Sequence, residues 1–375
     1  MDESSAYKEL SPILSDIPRF EGPAEPIDTW RPAPQPWSIP RINLVLFLLT
    51  LLTTTMAGAD SAGAFVTLGA PWQSLINLGA GLTFSIPMMA ILLAHEMGHY
   101  LTSRRHGVDA TLPYFIPAPF PSLFIIGTFG AFIKMKSAPR TRRAMFEIGA
   151  AGPWAGFVVA LVAVILGLKL STVTPLDASA GGLNLGNSML FWGISRVVLG
   201  VDPNAVNVDL HPMAFAGWVG LFVTTLNLLP VGQLDGGHVV YALLGERIHR
   251  IVSRLCWAGT ALMVVVPYAL GYDFWLGWLI WFGLVFFLGL GHPSTVDTHT
   301  RLAGNRRIMA WATIALFILT FSPVPFSFVP PAPAQQQQQD PSQAPGINVR
   351  QRLPAGKPDF SKPDFRLMGR LIFNA

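Results

Sequence analysis

His95, Glu96 and His99 form a His-Glu-x-x-His pattern within Ala94–Tyr100. Each residue of a helix turns the chain by about 100°, so residues four apart lie about 40° apart on one face, a turn from each other. Both imidazoles can then reach one metal ion, and the glutamate can reach a water on that ion. The chemistry this suits is hydrolysis, in which a metal-polarised water attacks a carbonyl while a carboxylate takes its proton. The setting is unusual. The pattern ends an apolar run from Leu75 to Leu93 whose only strongly polar side chain is Asn77. Two imidazoles and a carboxylate in hydrocarbon cost several kcal/mol unless they pair or bind something. One zinc ion answers for all three.

A catalytic zinc usually takes three protein ligands and a water. Glu147, Asp273, His238, His292, His299 and Asp235 are the ionisable candidates for the third. Glu147 starts a span beside a basic loop and reads as a snorkelling or salt-bridged interfacial residue. Asp273 sits in a turn between two spans. His238, His292 and His299 lie at or past the ends of apolar runs. Asp235 stands out because Pro230 and Gly232 unwind the span before it. Exposed backbone at that depth is tolerated only around a cavity or site. The plainer alternative is that Asp235 merely caps the next helix, Gly236 to Leu244.

The rest of the chain supplies the membrane. Of 375 residues, 51% are hydrophobic and 12% charged, where a soluble protein carries about 25% charged. Cys256 is the only cysteine, which excludes an intrachain disulfide and a Cys-based zinc site. Net charge is +4, with the bases clustered between apolar runs. That pattern sets topology and argues against a nucleic-acid partner. Neither a basic-then-apolar signal peptide nor an Arg/Ser-rich transit peptide opens the sequence, so the expected address is a bacterial cytoplasmic membrane, with a plastid or other organelle as the alternative.

The expected fold is an all-α polytopic membrane protein with about seven transmembrane helices. Apolar runs place the spans near 41–59, 75–105, 148–170, 213–229, 255–272, 274–291 and 308–322. Pro87 is placed to kink the second. Between the second and third spans, Pro113, Pro117, Pro119 and Pro121 break any helix. Gly127 to Lys136 then alternates, with Phe129, Ala131, Ile133 and Met135 on one side, as in a strand or membrane-associated β-hairpin. Gly152 and Gly156 have the small-xxx-small spacing that lets another helix approach. Asn187 to Leu199, with Phe191 and Trp192, reads as an interfacial helix. The organisation is a polar, proline-rich cytoplasmic tail over 1–40, a transmembrane domain over 41–322, and a disordered Pro/Gln-rich tail over 323–375. The basic loops fall on alternate sides, which puts the N-terminus in the cytoplasm and the C-terminus outside. The tail's Gln335–Gln339 run and its two Lys-Pro-Asp-Phe repeats, at Lys357 and Lys362, read as a disordered appendage or as a motif for a docking partner.

Taken as a pair, His95-Glu96-Met97-Gly98-His99 and Asn227-Leu228-Leu229-Pro230 leading to Asp235-Gly236 resemble the site-2 protease family of intramembrane zinc metalloproteases. Gly127–Gly130 and Ala151–Gly156 are also similar to that family. The resemblance covers roughly 75–245, weakens through His292-Pro293 and leaves out the tails. It implies one zinc per chain, held by His95, His99 and Asp235. It implies Glu96 as general base and Asn227 near the metal, holding the substrate backbone or the oxyanion. The hairpin would pair with an unwound substrate. No loop is long enough for the PDZ domain that many members carry. The function implied is hydrolysis of peptide bonds in or near the transmembrane segment of a single-pass membrane protein. Arg104-Arg105 follow His99 by about a turn, so the cut should release a cytoplasmic fragment. A catalytically inactive scaffold would be marked by loss of Glu96, which is present. A multi-span transporter with a structural metal site would show inverted repeats, and the two halves share no Gly/Pro pattern.

Overall fold

A computed structural model describes residues 39–64, 71–119, 125–175, 182–292, 295, 301–329 and 370–372, all within one compact unit, Trp37–Ala375. The N-terminal tail to residue 38, Pro121, His299 and most of the C-terminal tail lie outside the described residues.

The chain is mostly helical. Its helices are α1 (Arg41–Ser61), α2 (Pro71–Arg105), α3 (Arg142–Lys169), α4 (Met189–Leu199), α5 (Pro212–Asn227), α6 (Asp235–Leu244), α7 (Glu246–Leu270), α8 (Gly277–Leu288) and α9 (Asn305–Thr320). Four of them, α1, α2 from Trp72 on, α3 and α7, are long and apolar enough to cross a membrane. Three others that align with expected spans are shorter: α5 and α9 have 16 residues each and α8 has 12. Helix α7 begins at Glu246, not near 255, because the basic stretch with Arg247, Arg250 and Arg254 continues the helix.

Helices α2, α3 and α5 form the centre. α5 is buried along almost its whole length, as expected of a helix apolar on every side. α2 runs unbroken through Pro87 for 35 residues, about 52 Å at 1.5 Å per residue. It is therefore longer than the roughly 30 Å hydrocarbon layer of a bilayer. α1 crosses α2 tightly: a Cβ on Gly81 would sit 2.0 Å from the Thr55 carbonyl. The Thr55 hydroxyl at this crossing is satisfied internally. Thr55 Oγ1 bonds the Leu51 carbonyl at 2.6 Å and Ser85 Oγ at 2.8 Å, which removes the cost of hydroxyls in an apolar layer.

Two strands separate α2 from α3. β1 (Tyr114–Pro117) pairs antiparallel with β2 (Thr128–Phe132). β1 falls in the stretch that its prolines marked as irregular. Pro113 precedes it and Pro117 ends it, so neither removes an interior ladder bond. β2 is shorter than the expected Gly127–Lys136, with Met135 reduced to an isolated bridge to Ala110. The alternation also fails, since Phe129 and Phe132 are both exposed. Gly130 at φ 96° and a register shift between Phe115 and Pro117 break the two-residue period.

The opposite end carries short sheets. β3 (Thr172–Pro175) pairs with β5 (Val206–Asp209), which also pairs with β7 (Arg370–Ile372). β4 (Gly182–Leu185) pairs with β6 (Phe326–Val329). Ser188 caps α4 by accepting from Phe191 N–H. Phe191 is fully buried and belongs to the core rather than to an interface.

Candidate metal centre

His95 and His99 lie on the buried face of α2, at 5% and 7% exposure. Asp235 reaches them from the far side of a broken segment. α5 ends at Asn227, Pro230 has no N–H to continue it, and α6 restarts at Asp235. Asp235 does not cap α6: Leu234 occupies the cap position, with no side-chain cap bond. Its carboxylate turns to the histidines instead. Asp235 Oδ2 is 3.4 Å from His95 Nε2 and 3.2 Å from His99 Nε2, and the two Nε2 atoms are 3.1 Å apart. Among the described residues this is the group of three that could hold a metal ion. Bonds of about 2.0–2.1 Å to a tetrahedral zinc set donor–donor edges of about 3.3 Å. The triangle therefore fits zinc.

The surroundings fix the donors. His99 Nδ1 is 2.8 Å from the Ile148 carbonyl. A carbonyl can only accept, so that nitrogen carries the proton and Nε2 keeps its lone pair for a metal. α3 comes close enough to make this bond because its facing residues are small. A Cβ on Gly152 would stand 2.1 Å from His99 Nε2, and one on Gly156 would stand 3.1 Å from His95 Cβ. The small-xxx-small spacing thus seats α3 against the histidine face of α2.

Glu96 is buried and opens, with the three donor residues, into one cavity of about 230 Å³. The backbone of Ile133, just past β2, hydrogen-bonds its carboxylate. Asn227 lies on the same cavity with Nδ2 3.3 Å from His95 Nε2. Gln233 and His238 also line it. His238 is among the ionisable candidates of the sequence; Gln233 carries no signal there beyond its place two residues before Asp235.

The other candidates stand elsewhere. Glu147 binds His106 at 2.7 Å, Arg306 at 2.6 Å and Arg143 at 3.1 Å. These partners hold its carboxyl away from the metal donors, and Arg306 ties α3 to α9. Asp273 is exposed between α7 and α8. His292 Nε2 is 2.7 Å from His238 Nδ1, outside the donor triangle.

The profile of Peptidase family M50 matches residues 83–267, which hold all of these groups except Asp273, His292 and Arg306. The chain carries a domain of this family. "Probable zinc metalloprotease EGY2, chloroplastic" of Oryza sativa subsp. indica is 30% identical over 261 residues, 69% of this chain and 46% of the relative. The Arabidopsis thaliana protein of the same name is 27% identical over 287 residues, 76% of this chain and 48% of the relative. "Probable zinc metalloprotease EGY1, chloroplastic" of Arabidopsis thaliana is 40% identical over 174 residues, 44% of this chain and 30% of the relative. The chain spans about half the length of the first relatives it matches. No solved structure matches it. The named relatives are plant proteins called chloroplastic, so the expected bacterial cytoplasmic membrane finds no support in them. A domain of this peptidase family, with four helices able to cross a bilayer, makes the chain an integral membrane protein.

Proposed function

We propose that this chain is an intramembrane zinc peptidase that cuts a membrane-protein substrate in or near its transmembrane segment. The observation that carries this reading is the convergence of His95, His99 and Asp235 with Glu96 on one buried cavity. His95, His99 and Asp235 would hold the zinc. A zinc ion held there supplies Lewis-acid activation of water and of a peptide carbonyl. Glu96 takes the proton of the attacking water and returns it to the leaving amine, a role worth about 10²–10⁴ in rate. Asn227 presents an amide N–H₂ to the same cavity and would steady the developing oxyanion; such a donor contributes about 3 kcal/mol.

A helical substrate must unwind before its carbonyl can be attacked. β2 ends beside Ile133, whose backbone binds Glu96, so a substrate strand paired along β2 would pass the general base. The substrate in this reading is a single-pass membrane protein, and its product a fragment on the hairpin side, the cytoplasmic face. A docking role for the C-terminal tail belongs to the same proposal.

The seven crossings are proposed as well. Asn43 Nδ2, at the start of α1, donates to the Leu112 and Pro113 carbonyls beside β1, and Arg306, at the start of α9, reaches Glu147 near the start of α3. At the opposite end Trp278 Nε1, on α8, donates to the Pro323 carbonyl just past α9. Strand β6, which follows α9, pairs with β4 from the loop after α3. These contacts support passage of α1, α2, α3, α5, α7, α8 and α9 in alternating directions through one layer.

Membranes holding wild-type protein are to be compared with membranes holding Glu96→Gln. The expected result is a single-pass protein that accumulates uncut only with the variant. Identical membrane proteomes, with zinc bound stoichiometrically in both samples, would reject the peptidase reading.

A further inference from the structure

The segment that delivers Asp235 to the histidines has no secondary structure of its own, so something else must hold it. Pro230 lacks an N–H, and Val231 N–H turns back to the Leu229 carbonyl at 2.8 Å. At Gly232 the chain takes a left-handed φ of 53°, which a side chain would disfavour. Both backbone polar groups of Gly232 find their hydrogen-bond partners on α7. Gly232 N–H donates to Ser253 Oγ at 3.1 Å, and the Gly232 carbonyl accepts from His249 Nε2 at 3.0 Å. Ser253 Oγ and His249 Nε2 are themselves 3.2 Å apart. Both residues are almost wholly buried, at 0% and 1% exposure.

The fit around Gly232 is close on three sides. A Cβ on Gly232 would meet the Gly289 carbonyl at 2.3 Å, at the end of α8. A Cβ on Gly237, in the first turn of α6, would meet the Gly232 carbonyl at 2.3 Å. That carbonyl is therefore wedged between the turn that carries Asp235 and the ring of His249. The His249 ring is in turn set edge-on to His292 and Tyr241, with centroids 5.2 and 6.0 Å away.

We infer that His249 and Ser253 are positioning residues for the metal centre: by clamping both backbone groups of Gly232, α7 fixes where Asp235 meets His95 and His99. This rests on the proposed metal reading and adds to it a role for a helix that contributes no ligand. Asp235 is three residues from Gly232, so a released carbonyl lets the first turn of α6 shift against the histidines. A metal triangle tolerates little of that. Groups that orient ligands are typically worth about 10–100-fold in metal affinity.

Zinc affinity of the full-length purified protein, measured by competition with a chromophoric chelator, tests this without any substrate. His249→Phe keeps an aromatic ring against His292 and Tyr241 but cannot donate. His249→Gln places an amide donor near the position of Nε2. The expected result is a zinc Kd at least about tenfold higher in His249→Phe, with His249→Gln within about threefold of wild type. Ser253→Ala, which frees only the Gly232 N–H, should weaken zinc at least about threefold, and it decides the question alone if His249→Phe does not accumulate. A wild-type Kd in His249→Phe, or equal losses in Phe and Gln, overturns the clamp and leaves the metal centre standing. A wild-type protein that binds no zinc overturns both.

Discussion

Glu147 and Asp235 show how two acidic residues in similar apolar surroundings come to differ. Asp235 faces the two imidazoles and, among the described residues, no Lys or Arg ion-pair partner. Glu147 faces Arg143, Arg306 and His106. Asp235→Ala should therefore lose bound zinc, with affinity down by roughly a hundredfold or more. Glu147→Ala should keep one zinc and its activity, at a stability cost on the order of 1 kcal/mol for partly exposed ion pairs. Metal content and thermal melting of the two purified variants check this, and equal zinc loss in both would remove Asp235 from its special place. Most of this site was legible in the sequence. The i, i+4 spacing put His95 and His99 together, and Pro230 with Gly232 flagged Asp235. The lock on His99 was not legible, because it is the backbone carbonyl of Ile148, and a carbonyl has no residue type. His249 and Ser253 were equally silent: an ordinary histidine and serine near the start of a helix acquire their role only by facing Gly232.

At the scale of elements, the glycines of α3 were readable as a close-approach face, but not which helix would come close. The structure supplies α2, with Gly152 against His99 and Gly156 against His95. The hairpin was half legible. β2 announced itself by composition, whereas β1 was hidden among prolines that turn out to lie just before it and at its end. The proposed topology places the hairpin and the α3–β3 side of the molecule on opposite membrane faces. In a Cys256→Ser background, Lys136→Cys and Val197→Cys mark the two faces; both positions are exposed. A membrane-impermeant maleimide added from one side should label one of them and spare the other. Labelling of both from the same side would contradict the seven crossings.

For the molecule as a whole, composition and the pairing of two motifs carried the family, and the family carries zinc chemistry. The spans were less legible, because α5, α8 and α9 are shorter than a bilayer-crossing helix of about 20 residues. In the proposed seven-span topology the unwound stretches beside them would complete the layer, which a hydropathy window cannot see. Composition made the membrane legible, but not which membrane. The central claim is that a zinc held by His95, His99 and Asp235 makes this buried cavity cut peptide bonds. The most direct measurement uses the single-pass protein that accumulates with Glu96→Gln. Wild-type protein and that substrate are placed in the same liposomes, and cleavage is followed before metal removal by a chelator, after it, and after one equivalent of zinc is restored. Cleavage should stop with removal and return with zinc. Cleavage that continues at the same rate in the metal-free protein would contradict it.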